Sequence, residues 1–359
     1  MGNQTKAGKN HLAMFTTKIP HHSSHSGYEQ LVNYIDAGQV VVRERKTATG
    51  FFSKNIERAF RLGAVSRWYM WDGIEAEWSI FKLGRKHGDT FTGHILYGDP
   101  AIGYIPYLRS MIRGNVVLSI HACPSDLPQI IRRPKLLKNI DGLILLGENQ
   151  KPFFLDAGVP EERLHVIYHG VDDVFFTPGD TEVRSESNKK AFEILMVGSW
   201  RRNFKLYADV CRRFEGNDDV RFTVISHDHN KVHFEGLSNV QFLSGLPDTE
   251  LRDRYQKAGA MLLGLEDAVA NNVLLEAMAC GLPLVVERVG ALPEYLSSEG
   301  GLFFDQNDVD GAASAIKQLR EQPDLALKLS DTALQEVKEF QWPKMARKVE
   351  EVYKKVHRG

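Results

Sequence analysis

Cysteine is scarce. The 359 residues hold three, Cys123, Cys211 and Cys280, odd in number and far apart. Neither a disulfide framework nor a zinc-ligand spacing can be built from them, and a reducing compartment fits best. No run of about 18 apolar residues occurs, so no membrane-crossing helix is expected. The opening residues 1–11 are polar and lack the apolar core of a signal peptide, so a cytoplasmic protein is expected. The same start, MGNQTK, passes the loose pattern for N-myristoylation. Charge of one sign is not in excess: 45 Lys and Arg stand against 46 Asp and Glu, for a net −1. A chain so balanced is no general nucleic-acid binder, and no nucleic acid is expected as a partner. The GxGxxG fingerprint of dinucleotide sites is missing, which disfavours an NAD-dependent oxidoreductase.

What remains is ordinary globular material. Hydrophobic residues make up 43% and charged residues 25%, which excludes a mainly disordered, collagen-like or coiled-coil chain. At roughly 100–200 residues per domain, the length predicts two domains. Strand-like apolar runs at 11–17, 39–42, 115–121, 142–146 and 165–168 alternate with helical patterns at 27–37, 55–62, 126–137 and 148–157. A second series follows at 193–197, 221–226, 240–243, 260–265 and 284–287, again with helical patterns between the runs. Short β-branched runs separated by helix-length segments predict parallel strands with crossover helices. Two such series predict an α/β chain of two Rossmann-like domains, with expected bounds 1–178 and 191–340. Thr177-Pro178-Gly179-Asp180 reads as a turn, and the charged, Ser-rich stretch 182–190, which has no apolar face, as a linker. Met345, Val349, Val352, Tyr353 and Val356 stand at helical spacing, so 342–357 reads as one amphipathic helix. The segment 341–359 is expected to pack back on the first domain. Ligands of doubly wound domains bind beyond the carboxyl ends of the strands, where helix N-termini point inward, and a cleft between two such domains closes by hinging.

The most informative stretch is 271–287, NNVLLEAMACGLPLVVE. Asn271 or Asn272 can cap a helix that carries Leu274, Leu275 and Met278 toward a core. Glu276 sits about one turn in, off that apolar face, and Gly281-Leu282-Pro283 stops the helix before a strand. A helix N-terminus offers free N–H groups and a partial positive charge, so a phosphate can rest there while Glu276 accepts hydrogen bonds from a sugar diol. The competing reading is a capped helix with a merely solvated glutamate.

The stretch resembles the nucleotide-sugar site of retaining glycosyltransferases of family 4, of the two-domain GT-B type, in which a helix bearing two glutamates precedes an EAMACGxPVV run. Further segments match in the same order. Tyr168-His169-Gly170-Val171-Asp172 with Phe176 and Pro178 resembles HGVD…F.P; Met196-Val197-Gly198 resembles the first strand of the donor domain. Residues 239–244 followed by 250–255 resemble NVxFxG…ExLxxxY, and Gly290-Ala291-Leu292-Pro293-Glu294 resembles GGxPE. The similarity covers about 165–305, and more weakly the first half and the final helix. One departure stands out: eight positions before Glu276, where the family has its first glutamate, is Ala268, with Glu266 and Asp267 adjacent but out of register. In the family the first glutamate contacts the donor hexose and the second the ribose.

The resemblance implies two Rossmann-like domains facing across a cleft, an acceptor domain first and a donor domain second. It implies a retaining hexosyltransferase using a nucleotide-diphosphate sugar, UDP- or GDP-linked, with no cofactor and no metal. Arg and Lys side chains and helix dipoles would neutralise the leaving diphosphate. Arg202 and Lys205, in the loop after Val197-Gly198, are the implied phosphate groups, and Ser199 replaces the family's arginine directly after the glycine. Donor contacts are expected from Gly198, Arg201, Asn271, Asn272, Val273, Leu274 and Glu276, with Glu266 as a substitute for the missing glutamate. His121, at the end of a first-domain strand, resembles the family's cleft-facing histidine and joins Arg202 and Lys205 as a catalytic candidate. His25, Ser26 and Gly27 resemble the Gly-rich loop near phosphates and acceptor. His21, His22 and His25 have no helix to pair them and no carboxylate nearby in sequence, so no metal is expected there.

Residues 101–140 hold Arg109, Arg113, Arg132, Arg133, Lys135 and Lys138 against the single acid Asp126. This basic face is a candidate for contact with an anionic lipid surface or a charged glycan, and so for a peripheral station at the inner face of a membrane. The competing reading is a solvated face. Trp68, Tyr69, Trp71 and Trp78 are either a sugar or lipid site or core. The acceptor is expected to be a glycan, lipid or small molecule. The alternatives are a non-catalytic nucleotide- or sugar-binding protein, motivated by Ala268, and a nucleotide-sugar epimerase of the same fold.

Overall fold

The apolar runs fold as parallel strands. The computed structural model describes residues 11–18, 25–44 and 51–357, divided into two units. Among the described residues the first unit comprises 11–18, 28–168 and 343–357, the second 25–27 and 169–342.

The first unit contains β1 (His11–Lys18), β2 (Gln39–Glu44), β3 (Phe91–Ile95), β4 (Asn115–Ile120), β5 (Gly142–Leu145) and β6 (Leu164–Val166) in the order β2-β1-β3-β4-β5-β6. Every neighbouring pair is parallel, with registers such as Phe15↔Ile95 and Leu118↔Leu143. The core is built from Phe15, Ile80, Phe91, Val116, Leu118, Leu143 and Phe154. β3 escapes sequence reading because its run, FTGHI, is broken by Gly93 and His94. Both are buried: a Cβ on Gly93 would meet Ile80 at 2.9 Å, and His94 bridges the hydroxyls of Tyr353 and Ser119 at 2.6 and 2.8 Å. Tyr353 lies on the helix Trp342–Val356, whose residues 343–356 belong to this unit.

The second unit contains β7 (Phe192–Val197), β8 (Val220–Ile225), β9 (Val240–Leu243), β10 (Ala260–Leu263), β11 (Leu284–Glu287) and β12 (Leu302–Phe304) in the order β12-β11-β10-β7-β8-β9, all parallel. The strand order reverses between β7 and β10. In doubly wound sheets the carboxyl ends of the strands at such a switch point are where ligands bind.

Two sequence expectations need correction. The stretch 182–190 is not a linker: Thr181–Ser187 is a helix, N-capped by Asp180, which accepts from the N–H groups of Glu182 and Val183. It has no apolar face because it packs through a charged residue. Arg184 is buried and donates to the carbonyls of Cys280, Gly281 and Gln256, closing the C-terminal end of the helix Asn272–Ala279. The pattern at 126–137 is not one helix but Leu127–Ile130 and the 3-10 turn Pro134–Asn139, because Pro134 forces Arg133 out of helical geometry.

Candidate functional site

The site starts at Gly198, which ends β7 at φ 102. A Cβ there would meet Nη2 of Arg202 at 2.5 Å, so the chain turns tightly over the arginine only because residue 198 is glycine. Arg202 is buried, and its Nε donates to the Val197 carbonyl at 2.6 Å and its Nη1 to that of Trp200 at 3.2 Å. Burial lowers its pKa, opposed by Tyr207, Tyr255 and Glu276. The loop is joined to the chain beyond β10: Asn203 donates to Gly264, Glu266 to the carbonyl of Arg201, and Arg202 bridges to Leu265. Arg201 takes φ 56 and pairs with Glu266 at 3.3 Å.

Asn271 caps the helix Asn272–Ala279 by accepting from the N–H of Leu274 at 3.0 Å. Asn272 and Val273 are half-buried and Leu274 is buried. Glu276 lies one turn in and, at 5% exposure, is turned into the interior rather than solvated. Its Oε1 accepts from the hydroxyl of Ser26 and its Oε2 from that of Tyr255 at 3.0 Å. Burial raises its carboxyl pKa, and these two donors together with Arg202 pull it back. Glu276 and Arg202 therefore sit in one buried electrostatic group. Tyr255, fully buried on the helix Asp248–Lys257, was missed as a partner of Glu276; the tyrosine closing ExLxxxY was the available signal.

The HGVD segment ties this group to residues 25–27. His25 Nδ1 lies 2.8 Å from Asp172 Oδ2, and the His25 ring stacks on Phe175 at 3.6 Å. Arg252 in turn covers Phe175 at 4.9 Å. A carboxylate absent near His25 in sequence is thus supplied by the fold. Gly27 has φ 101, and the residues 21–24 of the same loop lie outside the described residues. Among the described residues no three His, Cys, Asp or Glu side chains group as a metal site would require.

Ala268 is buried, and its carbonyl accepts from Ala291. Gly290, at φ 55, packs so closely that a Cβ would meet the Ala268 carbonyl at 2.2 Å. The GGxPE-like turn therefore covers the backbone of Ala268. Glu266 is exposed and paired with Arg201, so it stays out of the buried group. Lys205 is also apart: its side chain is 88% exposed and pairs with Asp209 at 2.7 Å on its own helix. Glu287, at the end of β11, was not anticipated. It is fully buried and accepts from Leu265 and Asn307 at 2.7 Å, holding the loop after β10 in place.

In the first unit, His121 follows β4. Its N–H donates to the carboxylate of Asp99, whose pKa burial pushes up to about 7, and its Nε2 lies 2.7 Å from the Leu96 carbonyl. Tyr28 and Tyr97 pack on the His121 ring at 4.8 and 4.6 Å. Of the basic residues expected to form a face, Arg109 is tied to Asp141 at 2.6 Å and Arg113 to Asp89 at 3.3 Å. Arg132 and Arg133 donate to carbonyls of residues 61–64, at the end of the helix Phe51–Gly63. Lys135 and Lys138 are exposed. Tyr69 is core, donating to the buried Glu77 at 2.7 Å, whereas Trp68 and Trp78 are exposed.

Residues 191–322 match the family model described as Glycosyl transferases group 1. D-inositol 3-phosphate glycosyltransferase of Corynebacterium kroppenstedtii is 23% identical over 67% of this chain and 58% of its own length. A second such enzyme, from Corynebacterium aurimucosum, is covered over 66%, so the chain spans less than two thirds of these curated relatives. Sucrose-phosphate synthase from Thermosynechococcus elongatus superposes with TM-score 0.71 at 15% identity, over 96% of this chain and 98% of that one. Anabaena HepE in complex with UDP-glucose superposes with TM-score 0.69 at 14% identity, over 96% and 99%. Both likenesses are of fold, and the fold is GT-B.

Proposed function

We propose, for a chain whose residues 191–322 match the glycosyl transferases group 1 model, that the protein moves a sugar from a nucleotide-diphosphate sugar to an acceptor hydroxyl with retention and without a metal. The observation that carries this reading is the buried group in which Glu276, one turn into a capped helix, shares its surroundings with Arg202 under the Gly198 turn. In this reading Glu276 accepts from the pentose hydroxyls. The free N–H groups at the start of the helix Asn272–Ala279 and the Arg202 guanidinium face the diphosphate. UDP is the first nucleotide to try, since the Anabaena fold neighbour is described with UDP-glucose.

The acceptor oxygen attacks the anomeric carbon on the face that the diphosphate leaves. The carbon–oxygen bond to phosphate breaks, the new glycosidic bond forms, and the acceptor proton passes to the departing phosphate oxygen. No side-chain nucleophile is needed. The protein supplies position and positive charge. We assign acceptor contacts to the first unit, with His121 as their hydrogen-bonding residue, and a cytoplasmic location. Lys205, paired in solvent, is given no part.

Calorimetry with a panel of nucleotides tests the reading. Binding of a nucleoside diphosphate supports it, and absence of binding by every one contradicts it. Ala268 favours a second reading, a protein that binds without transferring: it leaves a buried methyl where the family has a carboxylate. Donor hydrolysis separates the two, because binding without turnover across sugars and acceptors supports the second.

We also propose that the first unit meets an anionic lipid surface. Phe60, Leu62, Tyr107, Leu108 and Met111 are exposed around the end of the helix Phe51–Gly63, where Phe60 packs on Tyr104 and Tyr107 donates to Gly63. Lys54, Arg58, Arg133 and Lys135 are exposed too, Arg133 over the Tyr107 ring at 5.8 Å, while Glu57 is buried and paired with Arg61. Exposed apolar side chains together with exposed bases complement acidic headgroups.

A further inference from the structure

The carboxylate assigned to the pentose is already occupied by the protein's own hydroxyls. Glu276 is 5% exposed, and each of its oxygens accepts a hydroxyl proton, one from Tyr255 and one from Ser26. The two donors differ in standing. Tyr255 is fully buried on the helix Asp248–Lys257, which packs on the helix that carries Glu276, so it is a fixed wall. Ser26 stands 250 positions from Glu276 in the chain and arrives on the short segment 25–27.

That segment is held from the side by contacts that do not involve Glu276. His25 pairs with Asp172 and stacks on Phe175 with the rings 5° from parallel. Asp172 also accepts from the N–H groups of Val174 and Phe175, so the latch is built into the HGVD turn. A serine hydroxyl donating to a carboxylate is chemically what one hydroxyl of a pentose diol would offer at the same oxygen.

We infer that Ser26 holds the place of a pentose hydroxyl on Glu276 and that residues 25–27 must yield before a nucleotide seats, which makes Ser26 an affinity-determining residue. The inference rests on the nucleotide reading of Glu276. It explains how a deeply buried carboxylate stays hydrogen-bonded without ligand. It also has a thermodynamic consequence: only the fraction of molecules with the segment withdrawn binds, so the apparent dissociation constant is the intrinsic one divided by that fraction. Weakening the contact raises the fraction and tightens binding.

Titrating wild type, Ser26→Ala and His25→Ala with UDP and GDP tests this. Ser26→Ala removes the competing hydroxyl; His25→Ala loosens the latch and leaves Glu276 untouched. Both variants are expected to bind about fivefold more tightly than wild type. Amide exchange at residues 25–27 is expected to quicken when nucleotide is added to wild type. Equal or weaker binding by both variants would overturn the inference, since a hydroxyl that contacts the ligand directly weakens binding when removed. Absence of binding by all three forms would instead contradict the nucleotide reading itself.

Discussion

Arg202 lies against the bare Cα of Gly198, with Nη2 2.5 Å from where a Cβ would stand. The two residues are complementary: one supplies a buried charge, the other the only backbone that can turn over it at φ 102. Gly198→Ala adds strain at a positive φ and drives a methyl into the guanidinium. The expected cost is about 2–4 kcal/mol of stability, with loss of nucleotide binding. Urea denaturation followed by calorimetry on the folded fraction checks both.

Glu276 and Arg202 are expected to separate binding from turnover. Glu276→Gln keeps the shape but loses an acceptor, and nucleotide affinity should fall about tenfold. Because burial raises the Glu276 pKa, the uncharged variant should be at least as stable as wild type at neutral pH. Arg202→Ala should lower turnover by about a hundredfold while affinity changes less. An unchanged rate would remove Arg202 from the phosphate role.

His94 makes the first unit acid-sensitive. Burial between Tyr353 and Ser119 lowers its pKa from 6.5 to about 3, so the folded chain keeps it neutral while the unfolded chain protonates it. This contribution to stability is present above 6.5 and is lost as the pH falls toward 3, at about 1.4 kcal/mol per pH unit. In His94→Asn the dependence of the urea midpoint on pH should flatten in that window. An unchanged slope would contradict the assignment.

Much of this was legible from local pattern. Ten of the twelve strands among the described residues appear as short apolar runs, and the helix bearing Glu276 announces itself by its Asn cap and Gly-Leu-Pro stop. What escaped depends on distant partners. β3 is interrupted by Gly93 and His94, whose fitness for the interior is set by Ile80 and Tyr353. The helix Thr181–Ser187 looks like a linker because Arg184 is satisfied by carbonyls roughly a hundred positions away. Glu276 is legible as a candidate sugar ligand, but its burial and its partners Ser26 and Tyr255 are not. Lys205 resembles Arg202 in sequence, yet Lys205 lies outward on the helix Phe204–Arg213 while Arg202, in the loop before it, is buried under Gly198.

The proposed lipid contact predicts salt-sensitive binding. Vesicles of phosphatidylglycerol should sediment the protein at low salt and those of phosphatidylcholine should not. Leu62→Glu with Arg133→Glu should cut the bound fraction about tenfold. Equal binding to both vesicles, or none to either, would remove the lipid assignment, and a shift from dimer to monomer in the variant would give the face to a second copy of the chain.

The most direct measurement is a crystal soaked with a nucleotide-diphosphate sugar. The account predicts a pentose within hydrogen-bonding distance of Glu276 and a diphosphate at the start of the helix Asn272–Ala279, close to Arg202. A nucleotide bound elsewhere, with Glu276 still closed under Ser26, would contradict it.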